Sequence, residues 1–164
     1  MISKTKVKNI KRIMLPIDGS VNSMKAANYG TSLAKKFNAD LIAVTVIDLM
    51  SLPYGYFISA PGTHSHDKIL EEKRKEAKKW LDEVQGLFLA VSTAPESIET
   101  KFRSEIIEDP FSKVEGALIN YAESENVDLI VMGTRGRSGL RRMLIGSVAS
   151  GVSSHARCAV MLVR

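Results

Sequence analysis

The residues best suited to chemistry are four small ones near the end of the chain. Two residues separate Gly133 from Gly136, and nine more precede the pair Gly146-Ser147. Glycine lets backbone N–H groups approach an anion closely and supplies positive φ where a loop needs it. A serine at a helix start adds a hydroxyl group to the unpaired N–H donors of the first turn. The pattern therefore predicts a phosphate-binding loop.

Two well-known phosphate motifs do not describe this loop. A P-loop has a lysine directly after its last glycine, whereas here Gly146-Ser147 lies too far downstream. The dinucleotide fingerprint belongs after the first strand, where this chain has Asp18-Gly19-Ser20. The loop therefore predicts a phosphate site of another kind.

Basic residues cluster around the same glycines. The formal net charge of +5 suits a nucleic acid, an anionic membrane or a phosphate ligand, and the clustering favours the phosphate. Arg135 and Arg137 are candidates for pairing with it, whereas Arg141 and Arg142 are expected in solvent. We expect neither a nucleic acid nor a membrane as partner.

Other reactive side chains have weaker patterns. His64 and His66, with Asp67 beside them, form a poor ligand set, so we expect solvated loop residues and no metal site from protein side chains alone. His155 is predicted at the surface of the last helix. Cys158 is predicted to pack as a small apolar group.

Composition predicts a cytoplasmic protein. The 164 residues suit one domain, 1–164, and a single cysteine excludes an intrachain disulfide. No stretch approaches the roughly 18 apolar residues that span a bilayer. Residues 1–12 lack the apolar segment of a secretory signal.

Apolar runs alternate with helical patterns along the whole chain. The predicted elements are strand Ile13–Ile17, helix 21–37, strand Leu41–Ile47, loop 48–66, helix Asp67–Phe88, edge strand 98–107, a helix starting at Asp109-Pro110, strand Val127–Met132, helix 147–156 and strand Cys158–Val163. Phe111 is predicted on the inner face of the helix after Pro110, while Tyr54, Tyr56 and Phe57 in the long loop are candidates for a lid or a partner surface. This alternation predicts an α/β fold with a doubly wound parallel sheet.

In such a sheet, ligands bind beyond the carboxyl ends of the strands, where the chain order reverses. Asp18 after the first strand, the residues from Val46 to Asp48, and the glycine loop are expected to meet there. Asp18 could instead cap the first helix, for which Ser20 is an equally good candidate.

The chain resembles the universal stress protein family in motifs that span nearly its full length. The spacing Gly133-x2-Gly136-x9-Gly146-Ser147, after VDLIVM and before Val148, is similar to that family's nucleotide-binding motif. IMLPIDGS (13–20) and VMLVR (160–164) resemble its first and last strands. One departure is Ala159, where the family usually has proline; it bears on the sheet edge and not on the site.

The resemblance implies an ATP-binding protein with a five-stranded sheet of order 3-2-1-4-5, helices on both faces, and a homodimer formed through the last strand. Asp18 matches the acidic residue near adenine and ribose, and Pro16 and Val46 match contacts to the base. The predicted nucleotide-binding set is Pro16, Asp18, Val46, Met132, Gly133, Arg135, Gly136, Arg137, Gly146, Ser147 and Val148. The ligand is expected to be ATP, ADP or AMP, with Mg or Mn held by the phosphates.

Three functions remain open from the sequence. The first is a nucleotide-dependent sensor or switch in the stress response, whose protein partners are unknown. The second is a slow ATPase or phosphotransferase, for which arginines and Ser147 are present but no obvious base. The third is an interaction module without a ligand. We favour the first, because each glycine lies where a phosphate needs it.

Overall fold

The computed structural model describes residues 9–49, 64–91, 100–137 and 145–164. Within 64–91, it describes side chains from residue 67 onward. Strands and helices alternate along these segments. They are β1 (Arg12–Pro16), α1 (Val21–Phe37), β2 (Asp40–Val46), α2 (His64–Ala90), β3 (Phe102–Ile107), α3 (Val114–Ser124), β4 (Leu129–Gly133), α4 (Ser147–His155) and β5 (Ala159–Val163). The aromatic cluster predicted at Tyr54, Tyr56 and Phe57 lies outside the described residues.

The five strands form one parallel sheet in the order β3-β2-β1-β4-β5. This confirms the predicted doubly wound α/β fold and its strand order. The order also confirms the predicted edge strand, since β3 comes first in it, and the middle residues of β3 are exposed.

Each face of the sheet carries its own apolar core. One face packs Ile13 and Leu15 of β1 beneath α1 and α2, together with Val84 and Phe88 of α2. The opposite face packs Met14 beneath α3 and α4. Adjacent residues of a strand point to opposite faces, so a continuous apolar run is what a strand covered on both faces requires.

The boundaries of α1 follow from its end residues. The Ser20 side chain accepts a hydrogen bond from the backbone N–H of Ser23, at 3.1 Å, and so caps the first turn. At the other end Asn38 adopts the left-handed conformation, with φ of 53°. Its N–H bonds back to the last carbonyls of the helix, which ends there. The predicted limits of 21–37 are confirmed.

Two predicted helix starts are wrong. The helix predicted at Asp109-Pro110 begins at Val114, because the Asp109 carboxylate accepts the N–H of Phe111, at 2.8 Å, and closes a local turn instead. Phe111 is therefore 91% exposed and does not face the core. Conversely, α2 begins at His64, which lies inside the predicted loop. Its first turn contains an acidic residue, Asp67, which stabilises a helix N-terminus without any apolar periodicity in the sequence.

None of the described helices combines the length and the apolar character that a bilayer crossing requires.

Replacing Leu15 by alanine tests the core beneath α1. This side chain is fully buried, so we expect the free energy of unfolding to fall by about 2–5 kcal/mol in urea titrations. Leu89→Ala is the matched control, because Leu89 is 69% exposed and its truncation is expected to cost under about 0.5 kcal/mol. Equal losses in the two variants would contradict the assigned core.

Candidate nucleotide-binding site

The strand order reverses between β1 and β4. From β1 the chain proceeds through α1 to β2 and β3 on one side, whereas β4 and β5 continue on the other side. The connections that leave β1 and β4 therefore diverge and open a crevice at the carboxyl edge. The turn 17–20, the loop 134–137 and the start of α4 border this crevice.

The turn after β1 is held by its own side chains. Asp18 Oδ1 accepts the N–H of Ser20, at 3.0 Å, while Ser20 caps α1. Of the two candidate caps, Ser20 therefore has that role, and Asp18 braces the turn. The second carboxylate oxygen of Asp18 lies toward the glycine loop.

The loop after β4 approaches this turn closely, and two of its glycines make that approach possible. A Cβ atom on Gly136 would lie 2.6 Å from Asp18 Oδ2. A Cβ atom on Gly133 would lie 2.8 Å from the carbonyl carbon of Asn22, at the start of α1. Ser20 Oγ also donates to the carbonyl oxygen of Arg135, at 3.4 Å. Gly133 is thus needed for packing against the backbone of α1, and Gly136 lies directly beside the Asp18 carboxylate.

The start of α4 closes the crevice. The Gly146 N–H donates to the Thr134 carbonyl oxygen, at 2.7 Å, so residue 146 lies beside the end of β4. Gly146 is also the N-cap of α4 and has no side chain with which to cap it. A helix start leaves its first N–H groups without intrahelical acceptors and carries partial positive charge. Ser147 and Val148 therefore present donors suited to an anion.

The remaining predicted residues lie at different depths. Pro16 is buried at the end of β1. Val46 and Val148 are half-buried and pack against the core that faces α3 and α4. Met132 belongs to that core and is only 5% exposed, so its side chain lies beneath the crevice. Of the predicted set, Asp18, Gly136 and Gly146 form the closest cluster.

The two arginines of the loop differ in their surroundings. Arg135 is exposed. The Arg137 guanidinium reaches α2, where its two terminal nitrogens each lie 3.3 Å from a carboxylate oxygen of Glu76. It also lies over the ring of Trp80, 5.1 Å from the ring centroid.

The contact between Arg137 and α2 could not be predicted from the sequence. Trp80 is half-buried and packs on the predicted core, as expected, but it also lies against Gly19. Glu76 had no signal beyond its place on a charged helix face. Since 61 residues separate Arg137 from Glu76, local periodicity could not connect them.

Cation-binding side chains are sparse near the crevice. Among the described residues there is no group of three or more His, Cys, Asp or Glu placed to hold a metal ion. His64 and His66 lie in the first turn of α2, and their side chains are outside the described part. His155 is exposed and its Nδ1 lies 2.9 Å from the Gly151 carbonyl oxygen. Cys158 is half-buried and packs against the core that faces α3 and α4.

An ion pair fixes α2 beside β3. Arg74 donates two hydrogen bonds to the Glu108 carboxylate, at 2.6 and 2.8 Å. These bonds lower the pKa of Glu108, with burial of the carboxyl opposing them in part. Because Glu108 follows β3 directly, the pair ties α2 to the carboxyl edge of the sheet.

The fold places the chain among the Rossmann-like α/β proteins, and the candidate site lies at the switch point of the sheet. The sequence matches the universal stress protein family over residues 9–164, and the chain belongs to that family. It is 34% identical over 155 residues to a universal stress protein of Methanocaldococcus jannaschii, a match that covers 94% of this chain and 82% of that protein. It is 31% identical over 163 residues to the universal stress protein YxiE of Bacillus subtilis, with 93% and 98% covered.

Solved structures share the fold. The universal stress protein UspA from Lactobacillus plantarum has a TM-score of 0.77 at 24% identity, with 96% of this chain and 99% of that chain covered. A universal stress protein solved in complex with cAMP has a TM-score of 0.68 at 22% identity, with 96% and 99% covered. One from Archaeoglobus fulgidus, solved in complex with dAMP, has a TM-score of 0.63 at 13% identity, with 96% and 100% covered.

The Arg74–Glu108 pair predicts an acid-dependent loss of stability. The pKa of Glu108 is lowered from 4.5 on folding, so its contribution is complete above pH 4.5 and is lost as pH falls through the lowered folded value. At pH 7 we expect Glu108→Gln to lower the free energy of unfolding by up to about 1 kcal/mol, as for a partly exposed pair. That difference should shrink as the pH falls below 4.5 in urea titrations.

Asp82→Asn is the control, because the Asp82–Lys78 pair links two exposed side chains within one helix. A Glu108→Gln deficit that stays constant from pH 7 to pH 3 would contradict the role of the ion pair.

Proposed function

We propose that this universal stress protein binds an adenine nucleotide in the crevice between the turn after β1 and the start of α4. The observation that carries the proposal is the close meeting of Asp18, Gly136 and Gly146 at the switch point of the sheet. The structures solved with cAMP and dAMP support the choice of an adenine nucleotide, because both share this fold.

The donors and acceptors around the crevice fit the two ends of a nucleotide. The uncapped N–H groups at the start of α4 suit phosphate oxygens. Asp18 is an acceptor when ionised, so it suits the ribose hydroxyls or the adenine amino group. Pro16 and Val46 would contribute contacts to the base.

ATP, ADP and AMP all carry these chemical groups, and ATP is our first choice. Arg135 and Arg137 add positive charge beside Gly136, which suits a chain of phosphates. A Mg or Mn ion would be held mainly by the phosphates, because the described residues include no cluster of cation ligands near the crevice.

We propose that the nucleotide acts as a signal and that the whole chain, residues 1–164, is one cytoplasmic sensor domain in the stress response. Such a switch requires the nucleotide to favour one conformation over another, so that unknown protein partners respond to the occupied state. The loop 134–137 is the element most directly placed for this, since it contacts both the turn after β1 and α2.

Gly136→Ala tests the proposed site directly. The new methyl group would lie 2.6 Å from Asp18 Oδ2, so either the Asp18 carboxylate or the loop must shift, and both border the proposed site. We expect the ATP affinity measured by calorimetry to fall about tenfold or more, since losing a hydrogen bond to a charged group costs about 1.5–3 kcal/mol. ADP, AMP and cyclic AMP should be titrated in parallel.

Gly86→Ala is the matched control, because no described atom lies within 4 Å of a Cβ atom there. Wild-type protein that binds none of the four nucleotides at about 1 mM, a binding free energy of about −4 kcal/mol, would refute the proposal.

We further propose a homodimer formed through β5. This strand consists of five apolar residues, and among the described residues its sheet partner is β4 alone. An apolar edge strand with one side unpaired favours pairing with a second copy. Ala159 is its most exposed position and occupies the place where the family usually has proline.

Ala159→Glu tests the dimer, because a charged side chain on this apolar edge strand would have to be buried against the second copy without a partner, which opposes pairing. We expect sedimentation velocity to show a dimer for the wild type and a shift toward monomer for the variant. Ala90→Glu, at the exposed end of α2, should remain dimeric. A wild-type protein that sediments as a monomer would exclude this interface.

A further inference from the structure

The contact between Arg137 and α2 brings two helix residues beside the candidate site. Glu76 and Trp80 lie four positions apart on α2 and so share one face of the helix. Arg137 contacts both, through its pair with the Glu76 carboxylate and its position over the Trp80 ring. Because Arg137 directly follows Gly136, this contact lies at the border of the crevice.

Trp80 also supports the opposite wall of the crevice. Gly19 has φ of 74°, and a Cβ atom there would lie 2.2 Å from Trp80 Cε2. The indole ring therefore packs directly against the turn that holds Asp18. Trp80 thus contacts both the turn and the side chain of the loop residue Arg137.

The negative charge of Glu76, close to Arg137, opposes the binding of a phosphate in the crevice. An anion bound at the start of α4 would attract Arg137, while Glu76 holds the same guanidinium and adds negative charge of its own. Arg137 can leave Glu76 for a phosphate, because their ion pair is weak. The two side chains are 57% and 44% exposed, and their charged groups lie 3.3 Å apart. A phosphate offers more charge and two acceptor oxygens to the same guanidinium fork.

We propose that Glu76 is a specificity-determining residue of the candidate site. By holding Arg137 over Trp80, it weakens binding of the phosphate end of a nucleotide and leaves binding of the nucleoside end unchanged. This inference rests on the proposed nucleotide site. It makes the preference of the site for ATP over adenosine depend on a residue of α2.

Glu76→Gln tests this role through two ligands. We expect the variant to bind ATP roughly three- to fivefold more tightly than the wild type, as release of an exposed ion pair allows, and to bind adenosine equally well. Glu71→Gln is the matched control, because Glu71 forms an exposed pair with Lys75 on the same helix. Glu76→Gln in an Arg137→Ala background should leave the ATP affinity unchanged, since the effect acts through Arg137.

A second measurement needs no nucleotide. Trp80 is the only tryptophan of the chain, so tryptophan fluorescence reports on the surroundings of this one side chain. Arg137→Ala should make Trp80 more accessible to acrylamide quenching, whereas Arg135→Ala, at an exposed neighbouring position, should not. Unchanged quenching in Arg137→Ala would show that the contact does not form in solution and would overturn the inference.

The two proposals fail in different ways. ATP binding with equal affinity in the wild type and Glu76→Gln, or a change shared equally by ATP and adenosine, overturns the role of Glu76 and leaves the nucleotide site intact. Absence of binding by either ligand to the wild type and to Glu76→Gln overturns both.

Discussion

The close approach between the turn after β1 and the loop after β4 is the constraint on which the site depends. Adjacent parallel strands place the ends of β1 and β4 side by side. A side chain at Gly133 would meet the backbone of α1, and one at Gly136 would displace the Asp18 carboxylate or the loop. Glycine at both positions lets the loop reach Asp18 and the start of α1. The hydrogen bond from the Gly146 N–H to the Thr134 carbonyl oxygen then holds the start of α4 beside the end of β4.

Charge within the crevice is divided between its walls. The helix start and the loop arginines supply positive potential, whereas Asp18 supplies a carboxylate on the opposite wall. A ligand with a polar nucleoside end and an anionic end matches this division better than an anion alone. The α2 residues Glu76 and Trp80 modify it from outside the glycine loop, because they share Arg137 with the crevice.

Much of this arrangement could be predicted from the sequence, because its determinants are local or repeat at a fixed spacing. Apolar runs covered on both faces identify β1, β2 and β4, and Ser20 with Asn38 delimits α1. The predicted helix start at Asp109-Pro110 is wrong because the Asp109 side chain has another use. Its carboxylate accepts the N–H of Phe111 in a local turn, and Phe111 is left outside the core. The Arg137–Glu76 contact could not be predicted, because it depends on how α2 packs over the sheet and not on spacing.

A crystal structure of the chain grown with ATP would show directly whether the crevice holds the nucleotide. We expect phosphate oxygens within hydrogen-bond distance of the N–H groups of Ser147 and Val148, with Asp18 facing the ribose or the adenine. ATP bound elsewhere would contradict this expectation. One such place is the cavity of about 670 Å³ at the amino edge of the sheet, lined by Ile119, Arg157 and Cys158 among others.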